Sequence, residues 1–168
     1  VGVRVNERSV LGRVRALLPP GWKPAAKPTV RRLYSLIAGG PTNRAGVRRF
    51  NILYSDSERL LRTHDLEETL RQLELDLHLY IGDRAPRRTF VHAGVVGWNG
   101  QAIVIPGRSF SGKSSLVKAL VQAGASYYSD EFAVLDERGR VHPYPIPLTM
   151  RPGRDGAPQM KYRAEELG

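Results

Sequence analysis

Gly107, Arg108, Ser109, Phe110, Ser111, Gly112, Lys113 and Ser114 form a GxxxxGKS run, the stretch of this chain whose residue types and spacing do the most recognisable chemistry. The pattern solves one problem, holding a triphosphate. Two glycines let backbone N–H groups curl around phosphate oxygens, Lys113 reaches the outer phosphates, and the Ser114 hydroxyl is placed to ligate Mg²⁺.

An octapeptide of this kind also arises by accident, so its flanks decide. The apolar residues 102–105 stop at Pro106 and read as a buried strand. After the lysine, Leu116, Val117, Leu120 and Val121 lie at helical spacing, and Gly124 is placed as the C′ residue that ends the helix. Strand, glycine loop and helix therefore come in the required order. Upstream, Asn99-Gly100 separates the apolar runs 90–96 and 102–105, the strongest short-range signal for a two-residue hairpin. The strand entering the loop then pairs antiparallel with its predecessor, where the common P-loop folds reach it by a parallel crossover. With that turn, Trp98 faces Gln101, and counting back sets His92 opposite Gly107, at the mouth of the loop. His64, His78 and His142 have no such placement and read as structural.

Downstream, residues 125–129 read as a short strand ending in Asp130-Glu131. A crossover through the loop helix lays it parallel to the loop strand, so the acidic residues emerge at the carboxyl end of the sheet, where ligands of open α/β sheets bind. A carboxylate there holds Mg²⁺ or takes a proton from an attacking hydroxyl. Successive strand residues face opposite ways, so both acids reach one metal only if the backbone bends between them; Asp130 is expected to be the inward one. The competing expectation is an acidic turn leading into the next hairpin, because this strand is more polar than the apolar run that usually precedes a metal-binding aspartate.

These residues resemble the HPr kinase/phosphorylase family and its relatives, the HPr-kinase-related serine kinases, whose fold is shared with phosphoenolpyruvate carboxykinase. The resemblance spans about residues 90–151. It is carried by Phe90-Val91-His92-Ala93-Gly94, by Ile105-Pro106-Gly107 through Ser114, by Tyr127-Tyr128-Ser129-Asp130-Glu131, and by His142-Pro143-Tyr144-Pro145 with Pro147-Leu148. It implies an α/β chain, an α+β mixed sheet built as a P-loop kinase core, and ATP-dependent phosphorylation of a hydroxyl, typically a serine, on a protein or small acceptor. The run 107–114 with Ser115 would line the nucleotide phosphates, and Ser114 with Asp130 and Glu131 would hold Mg²⁺. Lys113 and Asp130 would act in catalysis, Asp130 by activating the acceptor hydroxyl, with His92 beside it as a positioning or electrostatic partner. The chain departs from the family pattern at Arg108, where an acidic residue is usual, at Phe110, where a third glycine is usual, and at Ser115, which is not acidic. A related kinase with an acceptor other than HPr fits these departures better. The family's catalytic domain continues past the point equivalent to Gly168, so the core is expected to be C-terminally incomplete.

Positioning that site falls to the rest of the 168 residues, enough for one domain or one plus an appendage. The expected division is an N-terminal mixed α/β region, 1–88, and a P-loop core, 89–168. In the former, residues 18–24 form a turn-rich connector and residues 39–43 a loop, while 30–38 and 47–54 look like strands. Asp65 and Glu68 suggest a capping box opening a helix whose Leu66, Leu70, Leu73, Leu77 and Tyr80 share a face. Pro143, Pro145, Pro147, Pro152 and Pro158 make the tail extended, an ordered segment beside the site. No apolar run approaches a membrane span and no charged-then-apolar leader opens the chain, so a cytoplasmic protein with no membrane partner is expected. With no cysteine there is no disulfide, thiolate metal site or cysteine nucleophile. The net charge of +10 is mostly arginine in short clusters without interleaved aromatics, which disfavours nucleic acid and suits an acidic or phosphorylated acceptor. A homo-oligomer is compatible with all of this.

Overall fold

The computed structural model describes residues 1–40, 49–108, 111–150 and 160–167. Ser109 and Phe110 of the glycine loop, residues 41–43 and 47–48 of the expected loop and strand, and Arg151, Pro152 and Pro158 lie outside the described residues. Helices and mostly antiparallel strands combine into a mixed α+β architecture, divided into two compact units, Val1–Ile81 and Gly82–Gly168.

The first unit contains β1 (Gly2–Val5), α1 (Arg8–Ala16), β2 (Leu33–Ile37), β3 (Asn51–Ser55), β4 (Glu58–Thr63) and most of α2 (Leu66–Arg84). Its sheet runs β1-β2-β3-β4, parallel across the first pair and antiparallel after it. One face is apolar. Tyr34, Leu36 and Leu53 pack against Val10 and Val14 of α1 and Leu70, Leu73 and Leu77 of α2. A fully buried leucine contributes roughly 1.5–3 kcal/mol, so the stripe expected on α2 is a main source of this unit's stability. The start of α2 differs from a capping box. Asp65 Oδ1 accepts the Glu67 N–H at 2.8 Å, but Glu68 takes the Thr63 hydroxyl at 2.6 Å rather than the Asp65 amide. Between β3 and β4 the register shifts at Leu53/Tyr54, so that Leu53 pairs with Leu61 and Tyr54 with Arg59. Leu60 is the extra residue of a β-bulge.

The second unit is built on one long strand. β5 (Arg88–Trp98) pairs with β6 (Gln101–Pro106) through the expected turn, with Asn99 and Gly100 both left-handed at φ 49° and 76°, the pairing a type I′ hairpin requires. Trp98 faces Gln101, and the ladder closes at Ala93 opposite Pro106. After the loop come α3 (Lys113–Gln122), β7 (Ser126–Ser129) and β8 (Phe132–Asp136). β7 is antiparallel to β5 and therefore runs in the direction of β6, with β5 lying between them. β8 pairs with the other half of β5, from Arg88 to His92. β7 and β8 thus share one partner and are separated only by a bend at Asp130-Glu131. The acids do not lead into a hairpin; they interrupt a strand that continues along the same neighbour. β9 (Val141–His142) pairs with β8, and β10 (Leu148–Met150) with β11 (Met160–Tyr162).

Both faces of β5 are covered at its centre. Val96 joins Val117, Val121 and Leu148, whereas Ala93 and Val95 join Ala133 on the other side. Helix α3 sits so close that a Cβ on Gly94 would lie 2.7 Å from Val117 Cγ2. The helix ends at Gly124, φ 105°, with Ala125 N–H to Leu120 O at 3.0 Å and Gly124 N–H to Val121 O at 2.9 Å, a Schellman closure. One expectation fails. β6 is not buried, because among the described residues it has only β5 beside it, and Ile103 and Val104 are each 39% exposed. Among the described residues no helix is long and apolar enough to cross a membrane.

Candidate functional site

Registers bring the sequence-marked residues together. Ala93 of β5 stands opposite Pro106, the last residue before the glycine loop, on one edge; on its other edge its N–H reaches Glu131 O at 3.1 Å. The loop and the acidic bend therefore lie at the same height on either side of one strand. His92 is the next residue of β5 and pairs with Phe132.

The loop closes on its lysine. Lys113, only 9% exposed, donates from Nζ to Gly107 O at 2.6 Å and Arg108 O at 3.0 Å. Two of its three hydrogens tie the loop into a ring. Ser111 N–H to Arg108 O at 3.2 Å tightens the same turn. At Gly107 a Cβ would come within 2.6 Å of Ser111 Oγ, so a side chain there would oblige that serine to turn away. Gly112 is left-handed at φ 87° and heads α3 without any side-chain cap, and no acid sits in the first turn. The first-turn N–H groups and the positive end of the helix dipole thus face the loop, an arrangement suited to an anion. Arg108, Ser111 and Ser115 are exposed.

Asp130 lies on the other edge of β5, at 2% exposure. Its Oδ2 accepts the Ser114 hydroxyl at 3.2 Å and the Thr149 N–H at 3.3 Å, and the Tyr127 hydroxyl lies 3.3 Å from Oδ1. A phenol has one hydrogen, and Tyr127 also reaches Ile146 O at 2.7 Å. That shorter contact takes the proton, leaving Asp130 the weaker share. Burial, and then the charge of Glu131, push the Asp130 carboxyl up to about 6, while its three hydrogen bonds pull the other way. Burial likewise raises the Tyr127 hydroxyl.

The bend has its own cause. Ser129, fully buried, accepts the Glu131 N–H at 3.2 Å and the Phe132 N–H at 3.1 Å on its Oγ, replacing the ladder bonds those amides would make in a straight strand. Asp130 is the inward acid, as alternation suggested. Glu131 turns to the other side and meets His92, with Oε2 3.3 Å from Nδ1 and both side chains nearly half exposed. His92 packs edge-on against Phe132 at 6.4 Å, next to the Phe90, Phe132 and Tyr144 ring cluster.

Of the expected site residues, Ser114 and Asp130 are in contact and Lys113 bonds to Gly107 and Arg108 of the same loop, whereas His92 contacts Glu131 and Phe132. Glu131 itself contacts His92 rather than Ser114. Tyr127, Ser129 and the Thr149 amide complete the setting without having been assigned roles from the sequence; Thr149 is brought in by the extended segment 143–149, and no spacing marked it. No family model, curated protein or solved structure matches this chain.

Proposed function

We propose that the chain is an ATP-dependent kinase that transfers the γ-phosphoryl group to a hydroxyl, of the serine type, on a protein or small molecule, and that its second unit is a P-loop core of the HPr kinase and phosphoenolpyruvate carboxykinase kind. One observation carries the proposal: the Ser114 hydroxyl, next to the lysine that ties the glycine loop, is hydrogen-bonded to a buried carboxylate from a separate strand. A buried charge costs several kcal/mol unless something uses it, and here a buried cation and a buried anion flank one serine.

The residues present fit nucleotide and metal. Gly107 leaves the room that a Cβ would fill, the uncapped start of α3 offers N–H donors to phosphate oxygens, and the third hydrogen of Lys113 suits the outer phosphates. Ser114 and Asp130 would be the oxygen pair to hold Mg²⁺, a cation that commonly takes one or two carboxylates and fills its shell with phosphate and water. When bound, Mg²⁺ neutralises charge on the group being transferred. Lys113 adds fixed positive charge without rearranging. Asp130, ionised at pH 7, accepts the proton of the acceptor hydroxyl, whose oxygen attacks the γ-phosphorus in line as the bond to the departing ADP oxygen breaks. His92, through Glu131, sets the electrostatics of the acceptor side. ATP supply makes the cytoplasm the natural setting.

A second reading is favoured by a specific observation: Asp130 Oδ2 is already engaged by the Ser114 hydroxyl and the Thr149 N–H, as in an ATP-binding module that does not turn over. Asp130→Asn separates the two. ADP release is measured with serine peptides, free amino acids and sugars as acceptors, beside nucleotide affinity. A kinase keeps its affinity within about threefold and loses turnover by roughly 10²–10⁴-fold. No turnover in either form supports the binding module, and equal turnover in both rules Asp130 out of the chemistry.

A further inference from the structure

The first unit's sheet has a second face, opposite the leucine core, and the strand registers order it. Arg4, Ser35, Tyr54 and Arg59 are successive partners across β1, β2, β3 and β4, forming one row over the whole sheet. Ile37, Ile52 and Arg62 form the next. Arg59 and Arg62 are three residues apart and would point to opposite faces of a regular strand; the bulge at Leu60 puts both on this one. A cleft of about 440 Å³ runs over the first row, between Arg4, Ser35, Ile37 and Tyr54.

Of the cations on this face, Arg62 is held against an aromatic ring and Arg4 against a hydroxyl. The Arg62 guanidinium lies 3.5 Å above the Phe50 ring, which is itself stacked on His64 at 3.9 Å. Arg4 Nε donates to Ser35 Oγ at 2.7 Å, a bond that does not use its two terminal nitrogens. Arg4, Arg59 and Arg62 are all exposed, whereas Tyr54 between them is half-buried. Asp56, at the rim, is engaged by the Leu33 N–H at 2.9 Å and by Arg32. The arginine clusters have no aromatics among them in sequence, but the sheet interleaves them, because the rings come from β3 and its lead-in and the cations from β1 and β4.

We propose that this face binds single-stranded nucleic acid, with Arg4, Arg59 and Arg62 taking backbone phosphates and Tyr54 offering a ring on which a base stacks. Single strands are held by this combination, a cationic track for the backbone and ring faces for successive bases, each worth a measurable factor on its own. An acidic peptide would use the arginines but gain nothing from the ring. The site lies in a different unit from the glycine loop and does not depend on the kinase assignment.

The test uses the full chain and fluorescence anisotropy with labelled 12-nucleotide RNA and DNA single strands of mixed sequence, beside a labelled polyglutamate of equal charge. The expected result is nucleic-acid binding that weakens steeply with salt, exceeds binding of polyglutamate, and persists under saturating ATP. Arg59→Ala with Arg62→Ala should weaken it at least tenfold and lower the salt slope by about 1.4, or 0.7 per lost phosphate contact. Tyr54→Leu should cost about tenfold, while Tyr54→Phe, which keeps the ring, should cost little. Thermal unfolding of each variant confirms that the fold is kept, and Arg62→Lys gives a folded control that retains charge. Equal or tighter polyglutamate binding, displacement by ATP, or indifference to the loss of the ring would overturn the proposal.

Discussion

Both units bury polar side chains, but of different kinds. Among the described residues of the first, the buried polar ones are Ser35, Asn51, Ser55, Thr69 and His78, none of them a carboxylate, lysine or arginine. Asn51 Oδ1 takes the Gly39 N–H at 2.9 Å, Thr69 donates to Asp65 O at 3.0 Å, and His78 Nε2 lies 3.4 Å from Leu17 O. Each satisfies a backbone group that the packing of helices on a sheet has removed from water, which is what polar groups inside a fold ordinarily do. Among the described residues of the second unit the buried polar ones are Lys113, Ser129 and Asp130, two of them full charges, and they gather where the glycine loop and the strand bend meet. Hydrogen bonds to neutral groups do not repay the desolvation of a lysine or an aspartate. The difference teaches where to look for chemistry: buried neutral polar groups mark construction, and buried charges crowded at a loop mark a place awaiting an opposite charge.

That contrast can be broken. The largest effect is expected from Lys113→Ala, which should weaken ATP binding about a hundredfold or more in calorimetric titration while lowering the melting temperature little. A large drop in melting temperature with affinity of the folded chain unchanged would place Lys113 with the construction residues instead. Next comes stability against pH. The Asp130 carboxyl is raised to about 6 in the folded chain, against about 4 when unfolded. The folded form then holds this proton more tightly, so the stabilising contribution is present below pH 4 and fades as pH rises through 6. A shift of that size corresponds to about 2–3 kcal/mol. Asp130→Asn should therefore melt higher than the parent at pH 7.5 without ligand, with the gap closing by pH 4; a variant melting lower at pH 7.5 would show the carboxylate to be a structural tie. The smallest effect is expected from Asn51→Ala, which leaves the Gly39 N–H without its acceptor and should cost about 1 kcal/mol in denaturant unfolding, with nucleotide affinity unchanged.

The sequence showed the second unit better than the first, for a physical reason. Asn99-Gly100 fixes a turn and a register by itself, and from that pairing the height of His92 beside the loop follows; strand, loop and α3 are contiguous, so their order is local. β1 and α1 are hard to read because arginines interrupt their short apolar pattern and only Val10 and Val14 are buried from α1. β4, with its bulge, breaks the alternation by which a strand is recognised. From the sequence, Asp130 reads as the end of a strand or the start of a hairpin, since nothing nearby says that β8 will return to the same partner as β7. Thr149 reaches Asp130 from nineteen residues away in a segment whose prolines announce extension but not direction.

One feature of the second unit extends beyond the site. The outer edge of β6 carries a row of backbone donors and acceptors beside side chains as apolar as Ile103 and Val104. Any strand that docked there would gain its ladder and its burial in one step. It would also brace the segment that hands Pro106 and Gly107 into the loop, so completing the sheet from outside and steadying the phosphate cradle would be a single event.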